Sequence, residues 1–186
     1  MTRVAKTFLA LALIFALSAC DSRTEKTDGG GVLLSISDFD ELPFLVFVNS
    51  AVVGNGTVQL GSVTVSNVPK NPSGATSSLM NVEMESYEVT FTRADSGTRI
   101  PVAFVRGIFG QAPVNGTFVL EDAPIMGSDQ LLHPPLSDLL FENGAVDSET
   151  GLPRITLNLR LRFFGRTLSG DEVQSQAAPF TVEFNP

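Results

Sequence analysis

Three observations predict an all-β protein, an antiparallel β-sandwich of about eight strands with one short capping helix. Apolar and polar residues alternate along most of the chain, turn-forming sequences separate the alternating runs, and only one short segment has helical spacing. A small closed β-barrel is the alternative arrangement of the same strands.

The strands follow in order. Phe44 to Val48, Thr57 to Leu60 and Val63 to Val68 are apolar and β-branched. Tyr87 to Thr92 alternates, as do Ile100, Val102 and Phe104, then Phe118 and Leu120. From Arg154 to Phe163 the alternation is cleanest: Ile155, Leu157, Leu159, Leu161 and Phe163 face one way, and Thr156, Asn158, Arg160 and Arg162 the other. Phe180, Val182 and Phe184 form the last run. Between the runs lie Gly54-Asn55-Gly56, Asp95-Ser96-Gly97, Asn115-Gly116, Glu142-Asn143-Gly144 and Ser169-Gly170, which supply the positive φ angles of tight reversals. Gly54-Asn55-Gly56 is read as a hairpin. A nucleotide loop would need a helix after it, and a Val-rich strand containing Gln59 follows instead. Pro135 to Phe141, with Leu136, Leu139 and Leu140 at helical spacing, is predicted as the capping helix.

The amino-terminal region has a different character. Arg3 and Lys6 precede an uncharged apolar run from Phe8 to Leu17, followed by small residues and Cys20. The run is half of the roughly 20 residues that a spanning helix needs, so it reads as a cleaved secretory signal over residues 1–19. Residues 20–31 end in three glycines and read as a flexible tether with a root-mean-square reach of about 18 Å. Residues 32–186 then make one β-sandwich domain, long enough to bury roughly two-thirds of its unfolded surface.

Two resemblances follow from these residues. Leu17-Ser18-Ala19-Cys20 resembles the lipobox of bacterial lipoproteins, which implies a diacylglycerol thioether on Cys20, cleavage before it and attachment to the bilayer through acyl chains. Two or three such chains hold firmly, at about 0.8 kcal/mol per buried methylene. Asp21 resembles the enterobacterial signal that retains a lipoprotein at the inner membrane, facing the periplasm; the outer membrane is the alternative. Arg154 to Phe164, the turn around Ser169-Gly170-Asp171, and Phe180 to Phe184 look like the last two strands of immunoglobulin-like and fibronectin type III-like modules, although the cysteine pair and core tryptophan of true immunoglobulin domains are absent.

Charge and cysteine count exclude several functions. Loss of residues 1–19 removes Arg3 and Lys6 but no acid, leaving ten basic against twenty acidic residues. That balance argues against nucleic-acid binding and against adhesion to anionic headgroups. With Cys20 carrying lipid, no thiol remains for a disulfide, a thiolate metal site or a nucleophile.

No catalytic, cofactor-binding or metal-binding residue is assigned. His133, the one histidine, crowds with Ser137 and Asp138 into a single proline-rich loop, whereas a nucleophilic triad gathers from distant segments. Asp147-Ser148-Glu149-Thr150-Gly151 lacks the spacing of a calcium loop and reads as a polar turn. Arg154, Arg160, Arg162 and Arg166 form the one basic concentration. Arg160 and Arg162 are the candidate docking residues for an acidic envelope protein or an anionic polymer, the plainer reading being a solvated face with Glu183 opposite one of them. The expected function is a membrane-anchored, noncatalytic binding or assembly module of the cell envelope. The alternatives are an envelope hydrolase or carbohydrate-active enzyme whose carboxylates converge only in the fold, and a purely structural lipoprotein.

Overall fold

The computed structural model describes residues 31–40, 42 and 45–186. The expected signal segment, Cys20, Asp21 and the tether up to residue 30 lie outside the described residues. Nine strands are described: β1 (Val32–Asp40), β2 (Leu45–Phe47), β3 (Val58–Pro69), β4 (Val82–Arg93), β5 (Phe104–Ala112), β6 (Thr117–Met126), β7 (Ile155–Thr167), β8 (Glu172–Gln174) and β9 (Ala178–Asn185). Two short helices, α1 (Val48–Gly54) and α2 (Ser128–Leu131), and three 3-10 turns fill the connections.

The strands form two sheets. The first has the order β1-β3-β6; the second has the order β2-β9-β7-β4-β5, with β8 also paired to β7. All pairings are antiparallel except β2 with β9. Alternation puts one side of each strand in the shared core. Ile155, Leu157, Leu159, Leu161 and Phe163 of β7 are fully buried beside Val89 and Tyr87 of β4, facing Val63 and Val65 of β3. Tyr87 stacks obliquely on Phe163 at 5.4 Å, and its hydroxyl crosses the core to donate to the Pro124 carbonyl of β6 at 2.5 Å.

The sheets also touch along both flanks. Leu34 bridges Ser175 beside β8 on one side, and β5 turns directly into β6 on the other. This arrangement lies between an open sandwich and a half-barrel. Asn67, fully buried, fastens the β5–β6 corner: its Nδ2 donates to the carbonyls of Met80 and Ala112 at 3.0 and 2.9 Å, and its main chain bonds Gly116 and Asn115.

The structure revises several sequence expectations. The segments Thr57 to Leu60 and Val63 to Val68 belong to one continuous strand, β3. Gly54-Asn55-Gly56 closes α1 and makes no hairpin; Gly56, at φ 67°, donates to the Ala51 carbonyl. Ile100 and Val102 precede β5 as exposed loop residues, because regular pairing starts only at Phe104. The cap at Pro135 to Phe141 is there, with Leu136, Leu139 and Leu140 buried, but its turns are 3-10. Strands β1 and β8 carry no counterpart in the sequence reading. Glu183 faces Thr156, since β9 pairs with β7 in a register that sets Arg160 opposite Pro179.

Candidate functional site

The outer face of the second sheet is built by the polar half of the β7 alternation. Arg160 is opposite Thr90 and Arg162 opposite Glu88 on β4, and Glu88 is opposite Val105 on β5. Val105, Glu88 and Arg162 thus form one row across three strands. Neither Arg160 nor Arg162 has an ion-pair partner within 4 Å among the described residues, whereas Arg166 pairs with Glu85 at 3.6 Å and Glu172 at 3.5 Å. These latter pairs are exposed and stabilise little.

β5 is the longer of the two edge strands of this sheet, β2 being the other, so the outward N–H and C=O groups of Phe104–Ala112 lack a strand partner. Phe109 stands on that edge with 99 % of its surface exposed, and Val105 with 63 %. A bulge shapes the surroundings. Both ladders of β4 shift register between Met84 and Ser86, so Val82 and Met84 point inward on even numbers, and Tyr87, Val89 and Phe91 on odd ones. A groove of about 410 Å³ opens there, between Glu83 and Glu85 on one side and Ile108, Phe109 and Gln111 on the other. Two glycines permit the geometry. A Cβ on Gly165 would come 2.4 Å from the Glu83 carbonyl oxygen, and one on Gly110 would come 2.2 Å from the Phe118 ring.

A second constellation closes the far end of the sheets. Arg93, at the end of β4, binds Asp95 through Nε at 2.6 Å and Asp147 through Nη2 at 2.7 Å. The Arg93 and Asp147 side chains are 3 % and 0 % exposed. Arg99 binds Asp138 at 2.5 Å and also Ser148. Glu149 accepts from the Thr98 hydroxyl at 2.6 Å and from the backbone of Thr98 and Arg99 at 2.9 and 2.8 Å. Burial opposes the charge of Asp147, but hydrogen bonds from Arg93 and Thr150 outweigh it and hold the carboxyl below its usual range. Asp95 and Asp138 are lowered in the same way, against burial, by Arg93 with the Thr156 and Gly97 amides and by Ser148 with Arg99, respectively. Glu149 falls to about 2, chiefly through the Thr98 hydroxyl.

The polar turn at Asp147 to Gly151 is therefore one jaw of a guanidinium–carboxylate clasp. Its carboxylates are engaged by arginines, and among the described residues no group of three or more His, Cys, Asp or Glu could hold a metal. The segment from His133 to Asp138 does not converge either. His133 Nδ1 lies 2.7 Å from the Asp129 carbonyl, while the Asp138 carboxylate turns away to Arg99. Beside His133, a shallow cleft of about 260 Å³ is lined by Ile100, Val102, Asp129 and Gln130.

Sequence reasoning located Arg160 and Arg162 on the exposed face but missed Arg93, Arg99, Val105 and Phe109. The parity switch from Met84 to Tyr87 was a readable sign of the bulge. Among the described residues no helix is long and apolar enough to cross a membrane. No protein-family model, curated protein or solved structure matches the chain.

Proposed function

We propose that the protein is a cell-envelope lipoprotein, held on its bilayer by acyl chains at Cys20, and that it acts as a noncatalytic binding or assembly module. The partner in this reading is an envelope protein that adds an extended segment to the β5 edge. One observation carries it: Phe109 is wholly exposed on an unpaired strand edge, beside an apolar-floored groove. Edge addition supplies affinity through main-chain hydrogen bonds and specificity through pockets for alternate side chains. Arg160 and Arg162 extend the contact surface toward acidic groups of the partner. The engagement of Asp95, Asp138, Asp147 and Glu149 by arginines favours a binding role over carboxylate catalysis.

The test is crosslinking in intact cells with three chains: native, Phe109→Asp, and Arg160→Glu with Arg162→Glu. Loss of a crosslinked partner from Phe109→Asp and weakening in the arginine double variant are expected. An identical crosslinked set from all three sinks the edge and the patch. Cys20→Ser should release folded protein from the membrane fraction, and retention there would refute the anchor.

A further inference from the structure

The point where the chain enters the fold marks one end of the molecule. The Gly31 carbonyl accepts from Lys70 N at 3.0 Å, and Val32 pairs with Pro69. The β3–β4 connection, residues 70–81, is tied to the β7–β8 turn by Leu168 N to the Asn81 carbonyl at 2.9 Å and Ser169 N to the Leu79 carbonyl at 3.1 Å. It is tied to the β5–β6 turn by Val114 N to Asn81 Oδ1 at 2.9 Å. The clasp of Arg93, Asp147 and their neighbours lies at the opposite ends of β4 and β7.

This entry end has little charge and several exposed leucines. Residues 70–81 and 112–117 contain a single charged side chain, Lys70, and the turn 167–171 contains only Asp171, whose carboxylate accepts from Ser169 at 2.8 Å. Glu83 on β4 and the exposed Glu172 flank these loops on either side of Arg166. Leu79 is 55 % exposed and Leu168 41 %, on loops bonded to each other. Leu33 and Val68, a registered pair on β1 and β3, are each 43 % exposed alongside.

We propose that the entry end is a lipid-facing surface, with Leu79 and Leu168 seated at the boundary between headgroups and acyl chains. The inference rests on the acyl anchor at Cys20 proposed above. Residues 21–30 span at most about 36 Å even when fully extended, which keeps Gly31 near the bilayer. Arg93 is registered with Leu157, ten residues along β7 from Thr167, so the clasp lies about 33 Å away along the strand direction. Loops whose only carboxylate is Asp171 meet less repulsion at anionic headgroups than the net charge of the whole molecule would give, and exposed leucines gain by leaving water.

The experiment uses the full, lipidated chain in vesicles of phosphatidylethanolamine and phosphatidylglycerol. A spin label is placed at Leu79→Cys or, on the clasp end, at Val146→Cys; the native cysteine is blocked as a thioether, so each new thiol is labelled alone. The ratio of oxygen to water-soluble nickel collision is expected to be several-fold higher at Leu79 than at Val146. Equal ratios in protein that floats with the vesicles overturn the lipid-facing end and leave the anchor standing. Protein that does not float with them overturns both.

Discussion

Arg93 and Asp147, 54 positions apart in the chain, meet at 2.7 Å with almost no solvent around either side chain. The pair joins the end of β4 to the loop that precedes β7, so it closes the far end of the core. Removing Arg93 takes the nearer of two arginines from the buried Asp147, leaving Arg99 at 3.6 Å and the Thr150 hydroxyl at 2.7 Å, and so costs about 3 kcal/mol, the low end for a broken buried pair. Arg93→Ala is expected to lower stability by that amount in urea unfolding. A loss below about 1 kcal/mol would reduce the clasp to a surface feature.

The clasp also sets an acid limit. Its carboxylates have folded pKa values below their unfolded ones, so their stabilisation is complete above the unfolded values and lost as pH falls through the folded ones. For Glu149 the window runs from 4.5 down to about 2, and Asp95, Asp138 and Asp147 begin to lose their contribution below 3.8. The melting temperature should therefore decline through that window. Glu149→Gln should flatten the decline between pH 4.5 and 2, and an unchanged slope would contradict the assignment.

Tyr87 gives an optical readout of the core, because it is the only tyrosine. Burial pushes its phenol from 10 up to about 12, with Arg106 pulling slightly the other way. A folded pKa raised in this way favours the neutral form, so its stabilisation is present below pH 10 and is lost as pH rises toward 12. Ultraviolet titration should show ionisation near 12 in native protein and near 10 in denaturant. A native midpoint at 10 would mean that the ring is wet.

Gly165 is the narrowest point between β7 and the β4 bulge. Gly165→Ala sets a methyl against the Glu83 carbonyl, which is backbone and cannot swing aside. Overpacking of this kind costs about 1–3 kcal/mol. The substitution is also expected to alter the groove beside Phe109, and amide exchange on β4 and β5 would report it. Unchanged exchange together with native stability would show that the bulge tolerates a side chain.

The legible part of the fold is the part with a period. In β7, where both neighbours pair regularly over most of its length, every inward residue from Ile155 to Phe163 was readable from alternation. Ile100 and Val102 alternate too, yet they are exposed beside the His133 cleft, because alternation records side-chain direction only where a ladder exists. Glu183 was placed against the wrong residue since register depends on the turn and β8 between β7 and β9, which periodicity does not measure. The Arg93 and Asp147 contact lies beyond any local pattern, as its partners are brought together only by the closing of the sheets. Phe109 escaped notice for the opposite reason. A phenylalanine in a strand is ordinarily core, but Ile108 takes the inward side of β5, so alternation turns Phe109 outward, and the edge position of β5 leaves it uncovered.

The antiparallel pairing of β1 with β3 gives the entry strand a mechanical character. Tension delivered at Gly31 acts along β1, parallel to the ladder, so the registered pairs from Val32–Pro69 to Asp40–Ser62 resist together in shear and do not unzip one at a time. A domain held by its amino-terminal side would thereby be rooted through the whole length of a strand in the first sheet. Pulling single molecules from the amino terminus should show one high-force rupture, and a gradual low-force peeling would place the root elsewhere.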